Sequence, residues 1–140
     1  MRGQTLEVTV LGSSWEVMDV VCQANMFNDG CDSNYGSRTY RRGDPNSSTH
    51  WVRIDLQLKN ITSGLLDVGR NYNWAVVIGG RVYGIDEYPT SVDSINDVQF
   101  LPGSVVRTAA YAPVPKSAGT LNLLFVLRLV GASDWAYFGT

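Results

Sequence analysis

Residues 51–58 read Trp-Val-Arg-Ile-Asp-Leu-Gln-Leu, an unbroken alternation of apolar and polar side chains. Successive side chains of a β-strand point to opposite faces, so this stretch predicts a strand with one dry face and one wet face. A sheet buried on one side only is typical of antiparallel architecture, and residues 60–64 supply a turn directly after the strand. The side chains predicted to face the core are Val52, Ile54, Leu56 and Leu58, and those predicted to face away are Trp51, Arg53, Asp55 and Gln57.

Further strands are predicted on both sides of this one. Residues 5–11 alternate in the same way, and Gly79-Gly80 predicts a tight hairpin because the turns that join paired strands need a positive φ. Pro102-Gly103 predicts a turn that opens a strand over residues 104–112, ended by Pro113 and Pro115. The remaining predicted strands cover residues 15–22, 72–78, 121–130 and 135–138.

The predicted fold is all-β. No stretch combines helical spacing of apolar residues with a capping residue, so about eight short strands are expected to form an immunoglobulin-like antiparallel β-sandwich, with a barrel as the alternative. A chain of 140 residues that is 44% hydrophobic predicts a single domain over residues 1–140. Residues 23–49, rich in Asn, Asp, Gly and Ser, are predicted to form a long loop.

Composition excludes two classes of partner. A formal net charge of −2 and a pI near 5.2 argue against nucleic-acid binding, which needs clustered Lys and Arg. The longest apolar run, residues 121–130, is interrupted by Asn122 and Arg128 and is shorter than the about 20 residues that span a bilayer, so no membrane insertion is expected. Because residues 1–5 do not resemble a signal peptide, we expect either a cytosolic protein or a secreted, extracytoplasmic fragment whose signal has been removed.

The two cysteines favour the extracytoplasmic alternative. Cys22 and Cys31 flank an Asn-Asp-Gly turn, and closing a loop of this size as a disulfide would contribute about 2–3 kcal/mol in an oxidising compartment. Two buried free thiols or half of a metal site are the alternatives. A zinc site is disfavoured because His50 is the only histidine and no second cysteine pair exists.

The sequence offers no catalytic constellation. Any triad would have to use His50, which precedes the 51–58 strand and has no nucleophile elbow near it. Gly79-Gly80 lacks the Lys-Ser/Thr that a phosphate-binding loop requires. We therefore expect a protein that is not an enzyme and needs no cofactor.

Two ligand sites remain as alternatives. Asn28, Asp29 and Asp32 place oxygen atoms close together and are weak candidates for calcium, without the closing Glu of an EF-hand loop. Among the aromatic residues, Trp51 is predicted to present an exposed ring for sugar stacking. Trp74 alternates in step with Val76 and Ile78 and is therefore predicted to lie in the core. Asn46 and Asn60 match the acceptor pattern for N-glycosylation.

Residues 121–130 predict an interaction surface. The odd-numbered side chains from Leu121 to Leu129 should fill the core, and the opposite face is more apolar than a solvated face needs. The alternative is that part of the chain, such as the loop over residues 23–49, lies across this face. The residues assigned to the predicted interaction face are Leu124, Val126, Arg128 and Val130, together with Trp51.

The order of these elements resembles a known family. Five strands carry the resemblance: Trp51 to Asn60, the strand before Gly79-Gly80, the strand that follows Leu101-Pro-Gly and ends at Tyr111-Ala-Pro, the apolar strand 121–129 and an aromatic last strand. In this order they look like the immunoglobulin-like domains of secreted bacterial lipoproteins and the related mycobacterial secreted antigen. The resemblance covers about two thirds of the chain. Tyr111 stands where Phe is usual, Ala112-Pro113 where Val-Pro is usual, and residues 22–49 have no counterpart.

The resemblance implies an exported, non-enzymatic β-sandwich and carries over no catalytic residue. The expected function is protein–protein interaction or self-assembly at the cell surface, through the predicted interaction face or by strand addition to an open sheet edge. Two alternatives stay open: a carbohydrate- or calcium-binding module, and a viral or cytosolic structural protein.

Overall fold

The computed structural model describes residues 6–15, 17–25, 27–31, 43–44, 47–85, 89, 92–119 and 122–139. Two short helices, α1 (Met18–Ala24) and α2 (Val68–Asn71), lie among the strands of this part of the chain, and single 3-10 turns span Ile95–Asp97 and Lys116–Ala118. The strands are β1 (Leu6–Ser14), β2 (Thr49–Asn60), β3 (Leu66–Asp67), β4 (Tyr72–Ile78), β5 (Arg81–Tyr83), β6 (Gln99–Phe100), β7 (Val105–Pro115), β8 (Leu124–Leu129) and β9 (Ala136–Gly139).

The described strands form two main antiparallel sheets. One sheet has the order β1-β2-β7 and the other the order β5-β4-β8-β9, while β3 and β6 form a separate pair. The two main sheets pack face to face around one apolar core. The prediction of an all-β, immunoglobulin-like antiparallel sandwich is confirmed.

The core confirms which side chains of residues 51–58 were predicted to face inward. Val52, Ile54, Leu56 and Leu58 of β2 are completely buried and meet the inward side chains of the opposite sheet, among them Trp74 and Phe125. Burying such side chains contributes about 1.5–3 kcal/mol each, so this strand is a main source of stability. The prediction that Trp74 lies in the core is also correct.

The glycine turns are confirmed. Gly79 and Gly80 have φ values of 58° and 82° and join β4 to β5, and Gly103 has a φ of 77° just before β7. The prediction that prolines end β7 at residue 112 is wrong, because the strand continues through Pro113 to Pro115. Among the described strands, β7 pairs only with β2, and the two prolines lie two residues apart, so both missing N–H groups fall on the edge of β7 that faces away from β2.

The prediction of a strand over residues 15–22 is wrong, because α1 occupies most of this stretch. Val17 and Val21 are four residues apart, share one helix face and pack on the outer face of β2. A pattern of less than two turns is too short to separate helix from strand, and α1 has no side-chain cap. Contacts with the sheet therefore stabilise this helix more than its own sequence does.

Candidate functional site

The predicted interaction face on β8 is largely covered by the chain itself. Val126 is 2% exposed and packs with Ala75, Val77 and Trp135, and the Arg128 guanidinium lies 4.4 Å from the centre of the Trp135 ring. The prediction that Val126 is open to a partner is therefore wrong. Leu124 is half-buried in the same cluster, and only Val130, at 58%, remains well exposed.

Trp51 is buried, so the prediction of an exposed ring for sugar stacking is wrong. It is 3% exposed, and its indole N–H donates to the backbone oxygen of Asp29 at 2.8 Å. Helix α1 and Tyr111 enclose the ring in a small second core on the outer face of β2. Sequence parity placed Trp51 on the correct face but could not show that α1 covers that face.

The disulfide prediction is confirmed. Cys22 and Cys31 are bonded, with sulfur atoms 2.04 Å apart, and the bond ties α1 to the turn that caps Trp51. Asn28 belongs to the same unit, since it is 8% exposed and its amide nitrogen donates to the Val21 oxygen at 2.9 Å. The turn at residues 28–31 thus holds α1 in place.

The calcium candidates are not brought together as a metal centre in the described residues. Asn28 points its amide nitrogen at α1, the Asp29 backbone oxygen accepts from Trp51, and Asp32 lies outside the described residues. Within the part of the chain that the structure describes, no group of three or more His, Cys, Asp or Glu side chains could hold a metal ion.

His50 lies near the beginning of β2, on the side that faces the core. Its ring centre is 5.2 Å from that of Trp15, and its Nε2 atom is buried without a hydrogen-bond partner among the described residues. Burial lowers the pKa of His50, and the positive charge of Lys116 lowers it further. An imidazole that resists protonation in this way has the properties of a packed, neutral side chain.

The lowered pKa of His50 predicts a pH-dependent stability. Because the unfolded chain takes up the proton at a higher pH than the folded protein, stability should be complete above about pH 6.5 and fall as the pH decreases through the range between the two pKa values. Between about pH 7.5 and pH 5.5 the Tm of the wild type should fall more than that of His50→Gln. Equal changes of Tm in thermal unfolding of the two proteins would show that His50 does not titrate differently on folding.

Asn60 organises one end of the sandwich. It is completely buried at the end of β2, and its amide nitrogen donates to the backbone oxygens of Gly64 and Phe100, both at 2.9 Å. Its side-chain oxygen accepts from the Thr62 N–H and from the Thr62 hydroxyl. Gly103 N–H donates to the Asn60 backbone oxygen at 2.8 Å. Residues 61–65 and 101–104, here called the Asn60 loops, are thereby held together.

The burial of Asn60 corrects one sequence prediction. An asparagine with no exposed surface and a fully used amide nitrogen is unavailable for N-glycosylation in the folded protein. The Asn-x-Thr pattern here has a structural explanation, since Thr62 hydrogen bonds to the Asn60 side chain. The other candidate, Asn46, lies outside the described residues.

The Asn60 loops expose apolar side chains. Leu65 and Leu101 are 63% and 65% exposed and flank the paired residues Leu66 and Phe100, so they are cross-strand neighbours. Ile61 is 41% exposed and Val105, which directly follows the second loop, is 53% exposed. The sequence patterns predicted the two turns at residues 60–64 and 102–103 but not the exposure of the apolar side chains beside them.

A charged groove lies on the outer face of the β1-β2-β7 sheet. It has a volume of about 480 Å³, and Arg53 Nε and Asp55 Oδ1 form an ion pair at 2.8 Å within it. The Arg53 guanidinium also lies 5.6 Å from the centre of the Tyr111 ring. Burial raises the pKa of Tyr111, against the opposing charge of Arg53. The residues that line the groove are Leu11, Arg53, Asp55, Leu56, Asp93, Arg107, Thr108 and Ala109.

Comparison with known proteins identifies a fold and no family. No protein family is matched by the chain, and no curated protein matches it. Two solved structures are similar: an uncharacterized β-sandwich protein from Clostridium difficile 630 (TM-score 0.52, 13% identity, 100% of this chain and 88% of that one) and a conserved hypothetical protein from Bacillus anthracis (TM-score 0.51, 14% identity, 99% and 90%). They support the β-sandwich part of the resemblance, and neither description names a lipoprotein or an antigen.

The described helices α1 and α2 are short, with seven and four residues. None of them is both long enough and apolar enough to cross a bilayer.

Proposed function

We propose that this protein is a non-enzymatic, extracytoplasmic module that binds another protein through the Asn60 loops. The observation that carries the proposal is the exposure of Ile61, Leu65 and Leu101 on two loops that Asn60 holds together, and of Val105 directly after the second loop. Adjacent exposed apolar side chains mark protein interaction surfaces more often than isolated ones do.

The hydrogen bonds of Asn60 explain why these loops suit binding. A loop that is already ordered loses little conformational entropy when it meets a partner, so more of the contact energy appears as affinity. The bonds from Asn60 to Gly64 and Phe100 order both loops before any partner arrives. The exposed leucines are therefore presented in a fixed arrangement.

The size of the surface favours a transient contact. A stable interface buries about 800 Å² on each partner, and four partly exposed side chains supply only part of that area. We therefore expect a weak complex in which Leu65 and Leu101 are the central contacts. A permanent dimer through this end would need a larger surface.

The disulfide supports the proposed location. The bond between Cys22 and Cys31 fixes α1 over the buried Trp51, so it belongs to the folded structure. Structural disulfides of this kind persist in oxidising compartments and are rare in the cytosol. An extracytoplasmic module is the proposal that accommodates this bond.

A photocrosslinking amino acid at position 101 tests the proposal. In the cells that produce the protein, this variant should form one discrete adduct with another protein, because Leu101 lies at the centre of the proposed contact. The matched control carries the same amino acid at position 82, since Val82 is 51% exposed on the distant strand β5. Equal adduct formation from the two positions would contradict the proposal.

A further inference from the structure

A second feature of this protein points to a ligand of a different kind. The groove on the outer face of the β1-β2-β7 sheet contains one neutralised pair, Arg53 and Asp55, in which the guanidinium Nε lies 2.8 Å from the carboxylate. It also contains Arg107 and Asp93, which have no ion-pair partner within the described residues. Among the residues that the structure describes, one cation and one anion in the same cavity are thus left without an ion-pair partner.

Strand pairing explains how the groove is formed. Asp55 of β2 pairs with Ala109 of β7, and this alanine is the small residue between the longer side chains of Arg107 and Tyr111. A short side chain at that point leaves a depression in the sheet surface, because cross-strand neighbours on one face lie only about 5 Å apart. Ala109 therefore forms the floor of the groove.

A β-bulge adds an apolar wall. The pairing of β1 with β2 moves from Val10 opposite Leu56 to Gly12 opposite Asp55, so Leu11 is the extra residue of β1. Bulges redirect a side chain and are frequent beside binding sites. Leu11 is 48% exposed and lines the groove, so the cavity joins an apolar surface to the charged groups.

From this arrangement we infer that the groove binds a small zwitterion of the amino-acid class, a molecule with a free ammonium group, a free carboxylate and an apolar side chain. Arg107 binds the carboxylate, Asp93 binds the ammonium group, and Leu11 contacts the apolar side chain. The Arg53–Asp55 pair stays intact and contributes no net charge to the contact. A volume of about 480 Å³ lies within the range of small-molecule sites and accommodates such a ligand.

The charge balance distinguishes this ligand from other classes. A purely anionic or purely cationic ligand would satisfy one unpaired charge and be repelled by the other. A neutral sugar would gain no ion pair, and Tyr111, at 3% exposure, offers no open ring for stacking. The unpaired charges are both exposed, so each ion pair with the ligand should be weak. The expected dissociation constant is therefore on the order of 1 mM.

Titrations followed by amide NMR spectra test the inference with four probes: leucine, N-acetyl-leucine, leucinamide and maltose. Leucine should cause saturable shifts at the amides of Asp55, Thr108 and Ala109. N-acetyl-leucine lacks the ammonium group and leucinamide lacks the carboxylate, so each should bind about two- to fivefold more weakly. Maltose should cause no shift at these amides.

Two variants assign the charges. Arg107→Gln should weaken leucine binding about two- to fivefold and leave leucinamide unaffected, whereas Asp93→Asn should weaken leucine by a similar factor and leave N-acetyl-leucine unaffected. The control is Arg81→Gln, because Arg81 is exposed on β5 in the other sheet. The same spectra report whether each variant is folded.

Three results would overturn the inference. One is the absence of saturable shifts in the groove with leucine up to about 50 mM. Another is equal binding of leucine and either of its singly charged derivatives. The third is binding of maltose at the same amides, which would assign the groove to a neutral sugar.

Discussion

Val126→Lys is expected to lower the free energy of unfolding by about 3 kcal/mol or more, because it places a charge in a closed apolar cluster. Val126 is 2% exposed and packs against Ala75, Val77 and Trp135. The new ammonium group would also lie near Arg128, which already stacks on the Trp135 ring. The expected fall in Tm is roughly 10 °C in thermal unfolding followed by circular dichroism.

Val130→Lys is the matched control for this prediction. Val130 belongs to the same predicted interaction face but is 58% exposed, so the same substitution should change stability by less than about 0.5 kcal/mol. If both variants were as stable as the wild type, Trp135 would not cover Val126 in solution. The β8 face would then be a candidate partner surface again.

Asn60→Ala is expected to cost about 2–4 kcal/mol and to disorder both Asn60 loops, because the buried Phe100 oxygen loses its donor. The Gly64 oxygen and Thr62 lose a partner in the same substitution. Urea unfolding with an unchanged slope would give the loss directly. Crosslinking from position 101 should decrease together with stability of the loops, since the proposed contact depends on their order.

Two further variants separate the hydrogen bonds of Asn60 from its volume. Asn60→Asp keeps the shape but turns an acceptor oxygen toward the Phe100 oxygen, so its cost at neutral pH should be at least that of Asn60→Ala and should decrease as acid protonates the new carboxyl. Thr62→Val removes only bonds of a half-buried hydroxyl and should cost less than about 1 kcal/mol. A cost for Asn60→Ala as small as that of Thr62→Val would mean that Asn60 does not hold the loops together.

Sequence patterns predicted the two candidate surfaces only in part. The Asn60 loops follow from two turn motifs that are visible in the sequence, yet their exposed leucines were not predicted, since turn motifs do not say what surrounds them. The groove depends on Ala109 lying opposite Asp55, which is a matter of strand register. Register between strands about 50 residues apart in the chain cannot be read from the alternation within either strand.

Alternation of side chains predicted the strands of the sandwich, the inward face of β2 and the core position of Trp74, and the glycine pairs and Pro-Gly predicted the turns, because all of these depend on the local backbone geometry of one strand or turn. The pairing of Cys22 with Cys31 was likewise predictable from a short, turn-containing loop. The burial of side chains on the outer faces of the sheets was not predictable from the sequence. Trp51 lies beneath α1 and Val126 beneath Trp135. The alternation within a strand shows which side chains point away from the core, but it is identical whether that outer face meets water or another part of the chain. Only tertiary packing distinguishes these two cases, since it brings together residues that are distant in the sequence.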